Sequence, residues 1–123
     1  MNEKENISSL NYNFYHDDSL VEMARLNKGE IGKDSIFPYN KFDVKIWSND
    51  HNPPHFHVIS DGWDIAFTID TGRLLEIKKK GKKQEVYRYI CTHIDKWLEC
   101  MNHISPKDTN RQIAYVSWEV IHE

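Results

Sequence analysis

The sequence predicts an α+β fold, an antiparallel three- to four-stranded β-meander packed on one face by a long helix. Three observations lead there. Apolar and polar residues alternate in runs between Phe42 and Ile77. Asp61-Gly62 interrupts two of those runs, and Asp-Gly is among the strongest short-range hairpin signals. From Lys83 onward the apolar period changes from two to the spacing of a helix. A short N-terminal helix and a C-terminal helix complete the expectation.

The elements follow in order. Residues 1–16 are polar at the outset and are expected to be a flexible segment, leaving 17–123 as one α+β domain. Ser19 with Glu22 reads as a capping box, so a helix is expected over 19–28 with Gly29 as its stop. Gly29 to Tyr39 contains Gly29, Gly32 and Pro38 and reads as a connector. Strands are expected at Phe42–Trp47, His55–Ser60, Trp63–Ile69 and Arg73–Ile77, with Pro53-Pro54 stiffening the loop after the first. Val86, Ile90, His93, Trp97, Met101 and Ile104 form a helical stripe over 84–103. Ser105-Pro106 with Asp108 reads as the cap of a final helix over 107–121 that buries Ile113, Val116 and Val120. Ala114, Val116, Trp118 and Val120 also alternate as a strand would, and that alternative stays open.

Turn geometry sets a register. A two-residue Asp61-Gly62 turn puts Ser60 opposite Trp63, His57 opposite Ala66 and His55 opposite Thr68. A three-residue second turn with Gly72 in the left-handed conformation pairs Ile65 with Ile77 and Phe67 with Leu75. Phe56, Val58, Ile65 and Phe67 then share the face that the long helix should cover. His55, His57, Asp64, Ala66 and Glu76 share the other, and His57 and Glu76 flank the small Ala66 at about 10 Å between backbones.

Composition narrows the function classes. At 123 residues with 39% hydrophobic and 28% charged residues, the chain has the makeup of one ordinary folded domain. A net charge of -3 gives no global attraction to nucleic acid or anionic membranes. No apolar run is long enough to span a bilayer, and Met1–Asn6 lacks the apolar stretch of a signal peptide. Cys91 and Cys100 fall on opposite faces of one expected helix and cannot bridge, so two free thiols point to the cytoplasm.

Chemistry concentrates in two places. His51, His55 and His57 crowd into seven residues, and imidazole is the commonest metal ligand. They are the candidate ligands of a divalent metal such as Zn, with Asp64 or Glu76 as further ligand or general base. The same histidines also read as groups that hydrogen-bond loop carbonyls and hold the Pro53-Pro54 turn. Lys78, Lys79, Lys80, Lys82 and Lys83 make the only strongly basic run. It reads as a solvated turn, or as a site for nucleic acid or another anion, because lysines at a helix start oppose the helix dipole unless an anion sits there.

The string Asn49-Asp50-His51-Asn52-Pro53-Pro54-His55-Phe56-His57-Val58, followed by Ile69-Asp70-Thr71-Gly72-Arg73-Leu74-Leu75-Glu76, resembles a widespread family of short bacterial proteins of unknown function. The resemblance covers about residues 42–100. Members are often encoded beside another small protein in a toxin–antitoxin-like pair, which implies a protein partner encoded nearby. This chain departs from the pattern in its N-terminal extension of about 40 residues, its lysine run and its C-terminal segment ending Ser117-Trp118-Glu119. The first functional expectation is therefore a binding module for a protein or nucleic-acid partner. The alternative is a metal-dependent hydrolase or nuclease built on His51, His55 and His57.

Overall fold

The computed structural model describes residues 18–27, 30–34, 42–102 and 107–123. Among the described residues five strands pair antiparallel in chain order: β1 (Glu30–Asp34), β2 (Phe42–Lys45), β3 (His55–Ser60), β4 (Trp63–Thr68) and β5 (Leu74–Lys79). The expected meander is β2 to β5. β1 is an addition, lying in the stretch that reads as a connector. Its sequence Glu-Ile-Gly-Lys-Asp holds one aliphatic side chain, so no alternation announces it, and backbone pairing with β2 makes it an edge strand.

Both hairpins follow from their turn residues. Asp61 and Gly62 take positive φ, 48° and 86°, the handedness a two-residue hairpin turn needs. The β3–β4 register runs from His55↔Thr68 to Ser60↔Trp63, as expected. At the second turn Gly72 has φ 70° and donates its N–H to Thr68 O at 3.0 Å. Ile65↔Ile77 holds, but Phe67 opposes Leu74, correcting the expected Leu75. The Thr68 and Arg73 backbones bond at 2.9 Å, and Arg73 N–H donates to Thr68 Oγ1 at 3.1 Å. These bonds draw the loop in, so pairing shifts by one residue between Ala66 and Phe67.

Three helices are present among the described residues: α1 (Asp18–Asn27), α2 (Gln84–Glu99) and α3 (Asn110–Ile121). α2 buries Val86, Ile90, Ile94, Trp97 and Leu98 and covers the apolar sheet face, with the Trp97 and Phe56 rings 5.1 Å apart. Burying one such side chain contributes about 1.5–3 kcal/mol. Ile94 and Leu98 take the place expected of His93 and Met101. His93 is half-buried beside Tyr89, its Nδ1 on the Tyr89 carbonyl at 2.9 Å, and Met101 is exposed. The helix stops at Glu99, short of the expected 103. Asn110 Nδ2 donates to Trp97 O at 2.6 Å, its N–H donates to Cys100 O at 2.9 Å, and Met101 bridges to Thr109.

The C-terminal element is a helix, which removes the strand alternative. Its N-cap is Thr109, in a reciprocal capping box with Gln112. Ile113 and Val116 pack on Leu20, Val21 and Ala24 of α1 in a second small core, with Val120 at its margin. Ala114, Tyr115 and Trp118 join the main core. α1 begins one residue ahead of the expected 19. Segment 1–16, Gly29, Ile104 and Ser105-Pro106 lie outside the described residues, as does the Ser19 side chain.

The lysine run is not one turn. Lys78 and Lys79 end β5, while Lys80, Lys82 and Lys83 lie in the link to α2. All five are exposed. Gly81 is required there because a Cβ would overlap the Trp63 ring, whose Nε1 donates to Lys83 O at 3.0 Å. Neither Cys91 nor Cys100 is in a disulfide. No helix of the described residues is long and apolar enough to cross a membrane.

Candidate metal centre

Strand alternation puts His55 and His57 on the sheet face opposite Phe56 and Val58. That face is not solvated here. His55, His57, Ala66 and Thr68 are all buried, His57 with 0% of its surface exposed. A buried imidazole needs partners for both ring nitrogens, and the partners define the site.

Each histidine commits Nδ1 to a group that can only accept. His57 Nδ1 lies 2.8 Å from Asp64 Oδ1, so it carries the proton and donates to the carboxylate. Asp64 reaches it diagonally across the β3–β4 ladder. His55 Nδ1 donates to the carbonyl of Pro53 at 2.7 Å. This is the loop-carbonyl bond expected of a histidine that holds the Pro53-Pro54 turn. With Nδ1 protonated, the neutral form of each ring keeps a bare lone pair on Nε2.

Both Nε2 atoms point at Asp50. His55 Nε2 is 3.4 Å from Oδ1 and His57 Nε2 is 3.3 Å from Oδ2. The Asp50 side chain is 10% exposed. Its carboxylate is fixed from the loop, because Trp47 N–H donates to Oδ2 at 3.0 Å while Asp50 N–H donates to Trp47 O at 3.1 Å. One ligand atom from each of Asp50, His55 and His57 lies within 4.8 Å of the others. Two imidazole lone pairs and a carboxylate face one another across that gap. They repel unless protons or a cation lie between them.

Aromatic rings enclose the cluster. The Trp118 ring of α3 is 5.4 Å from His55, and Trp47, 40% exposed, is 6.2 Å from His57. Lys45 Nζ sits 5.4 Å from the Trp47 ring centre. α3 also reaches the loop through His122, whose Nε2 lies 2.9 Å from Asp50 O, a hydrogen bond when Nε2 carries the ring proton. His122 Nδ1 is 2.8 Å from Trp118 O, and the two rings stack at 3.9 Å. Burial pushes the Glu119 carboxyl above its ordinary range, with nearby His122 opposing the rise.

Of the residues expected from sequence, the structure brings together His55, His57 and Asp64. His51 is exposed on the loop and is not in the three-residue group. Glu76 shares the histidine face, since it opposes Ala66, but its side chain is 47% exposed and pairs with Lys78 at 4.0 Å. Lys79, Lys80, Lys82 and Lys83 stay exposed outside the group. Sequence reasoning missed Asp50, Trp118 and His122. Asp50 was within reach, being the one acid in the His-Asn-Pro-Pro-His loop, whereas nothing in the sequence points from His122 to residue 50.

No curated protein and no solved structure matches the chain. The stretch that supplies Asp50, His55, His57 and Asp64 is what relates it to others: residues 42–100 match the model of a family described as Domain of unknown function (DUF4160).

Proposed function

We propose that this protein is a metal-binding module that holds one divalent transition metal, such as zinc, on His55 Nε2, His57 Nε2 and the Asp50 carboxylate. The observation that carries the reading is the contact of each Nδ1 with an acceptor, which leaves both Nε2 atoms facing Asp50. With Asp64 and the Pro53 carbonyl taking the Nδ1 protons, both Nε2 lone pairs converge on a carboxylate that is 10% exposed. A carboxylate or carbonyl behind a ligating imidazole is the usual outer support of a metal site.

The distances suit a shared cation, and the one imidazole contact to Asp50 with hydrogen-bond geometry, from His57 Nε2 to Asp50 Oδ1, is long at 3.4 Å. Charge-assisted N–H···O bonds run about 2.7–2.9 Å, and the His57–Asp64 contact is one, at 2.8 Å. The contacts to Asp50 are 3.3 and 3.4 Å. Two ligand atoms each about 2.05 Å from a tetrahedral zinc stand about 3.3 Å apart. Two imidazoles and a carboxylate suit zinc or ferrous iron better than calcium or magnesium, which prefer all-oxygen shells.

Three protein ligands leave a fourth position for water or a small molecule, the pattern of catalytic rather than structural zinc. The ligand side chains are 5%, 1% and 10% exposed, so a polymer strand has little of them to reach. When bound, the metal supplies a Lewis acid to that position. Binding of a protein or nucleic-acid partner, the other expectation, has the exposed lysines to rest on and no comparable convergence of groups.

The test is a zinc titration of untagged protein against a chromophoric chelator. One zinc per chain is expected, lost in His55→Ala/His57→Ala. Zinc at one hundred times its Kd should stabilise the fold by about 2.7 kcal/mol. No binding at micromolar zinc, or stoichiometric binding that survives the double substitution, refutes the reading.

A further inference from the structure

We infer that the C-terminal helix completes the metal centre and that His122 is its positioning residue, an inference that rests on the metal-binding reading above. Asp50 is the ligand whose placement needs most help. His55 and His57 are fixed by their strand, but Asp50 belongs to an irregular loop. It is held at its N–H by Trp47 O, at its side chain by Trp47 N–H, and at its carbonyl by His122 Nε2. The first two bonds lie within the loop and let it move as a unit. The third ties the loop to an element 72 residues away in sequence.

His122 is itself aimed. It caps α3, its N–H donates to Trp118 O at 3.2 Å, and its ring lies on the Trp118 ring. Trp118, 5% exposed, is the residue of the same helix that packs against His55. One helical turn therefore touches one ligand through a ring contact and another through a backbone hydrogen bond. α3 is anchored at its other end by Arg111 Nε, which donates to Ile69 O at 3.0 Å, close to where β4 ends. Every one of these α3 residues lies beyond the 42–100 stretch matched by the family model. The helix thus narrows the positions open to the Asp50 carboxylate, and losing its grip should loosen the ligand geometry without removing a ligand.

Full-length protein and its His122→Ala and His122→Gln variants, titrated with zinc and with cobalt(II), test this. Gln keeps an N–H donor where His122 Nε2 stands, and Ala keeps none. His122→Ala should bind zinc about 10- to 100-fold more weakly, and its cobalt(II) visible spectrum should shift. His122→Gln should recover most of the affinity and the wild-type spectrum, which a merely structural role would not predict. As an independent readout, zinc should slow amide hydrogen exchange at residues 118–122 of the wild type, because coupling between sites is reciprocal. Equal zinc affinity and equal spectra in all three proteins, or no slowing of exchange at 118–122, overturns the inference and leaves metal binding standing. A wild type that binds no zinc overturns both.

Discussion

Replacing Asp64 probes the site without touching a ligand. In the folded protein Asp64 Oδ1 takes the Nδ1 proton of a fully buried His57 at 2.8 Å. In Asp64→Ala that proton has no acceptor there, and the ring is expected to switch tautomer, placing a proton on Nε2 and donating it to Asp50. The lone pair needed by the metal is then occupied. Restoring it leaves Nδ1–H buried and unpaired. A hydrogen bond to a charged group contributes about 1.5–3 kcal/mol, which corresponds to roughly 10- to 150-fold in affinity. Losses of about 10- to 100-fold for outer partners of metal-bound histidines agree. At zinc one hundred times the wild-type Kd, a variant weakened 100-fold keeps only about 0.4 of the 2.7 kcal/mol of stabilisation. Its zinc-induced rise in Tm should shrink to about one-seventh. Asp64→Asn, which can still accept through its amide oxygen, should fall between. Chelator competition and thermal melts with and without zinc measure both quantities. Zinc affinity of Asp64→Ala within twofold of wild type refutes the tautomer argument.

Three further outcomes are expected. Gly72→Ala should lose about 1–3 kcal/mol by urea denaturation, because φ is 70° and the new Cβ would stand 2.8 Å from Asp95 Oδ1 and 3.0 Å from Leu98 Cδ1; an unchanged midpoint counts against the turn. Trp97→Ala, at a site 1% exposed beside Phe56, should lose about 3–5 kcal/mol, and a loss under 1 kcal/mol would mean that α2 does not cover the sheet as described. Burial pushes the Cys91 thiol up, with Tyr87 partly opposing it, so less thiolate is present at neutral pH. Iodoacetamide should label Cys91 more slowly in the folded than in the urea-unfolded protein, the gap closing as pH rises; equal rates at pH 7 would contradict that environment.

The parts of the site that were legible in the sequence are those a periodic rule governs. Asp61-Gly62 fixed one hairpin, and alternation then set His57 opposite Ala66 and Asp64 on the histidine face. The same rule also offered Glu76, two strands away, and could not rank the two acids. The short Asp64 side chain lies on the adjacent strand within direct reach of Nδ1, whereas Glu76 finds Lys78 at the surface. Asp50 was open only to its place as the acid beside the histidines of the loop, because residues 47–54 follow no period that would aim it. His122 was hidden by the helix-or-strand ambiguity of 107–121, although Thr109-Asn110-Arg111-Gln112 carries the capping-box spacing that would have resolved it. β1 left no trace because an edge strand held by backbone pairing needs no apolar pattern.

The spacing of the three ligands has a consequence for the order in which the chain assembles. Asp50 and His57 are separated by seven residues, Asp50 and His122 by 72. Loop-closure entropy grows as the logarithm of that separation, so bringing His122 to the loop costs about 2 kcal/mol more than bringing the ligands to one another. A contact so distant in sequence also forms late in a folding reaction governed by contact order. The proposed ligands therefore come together at a lower entropic cost than the contact that ties their loop to α3. On the proposed reading, what the helix changes is how firmly, and in what geometry, a metal would be kept.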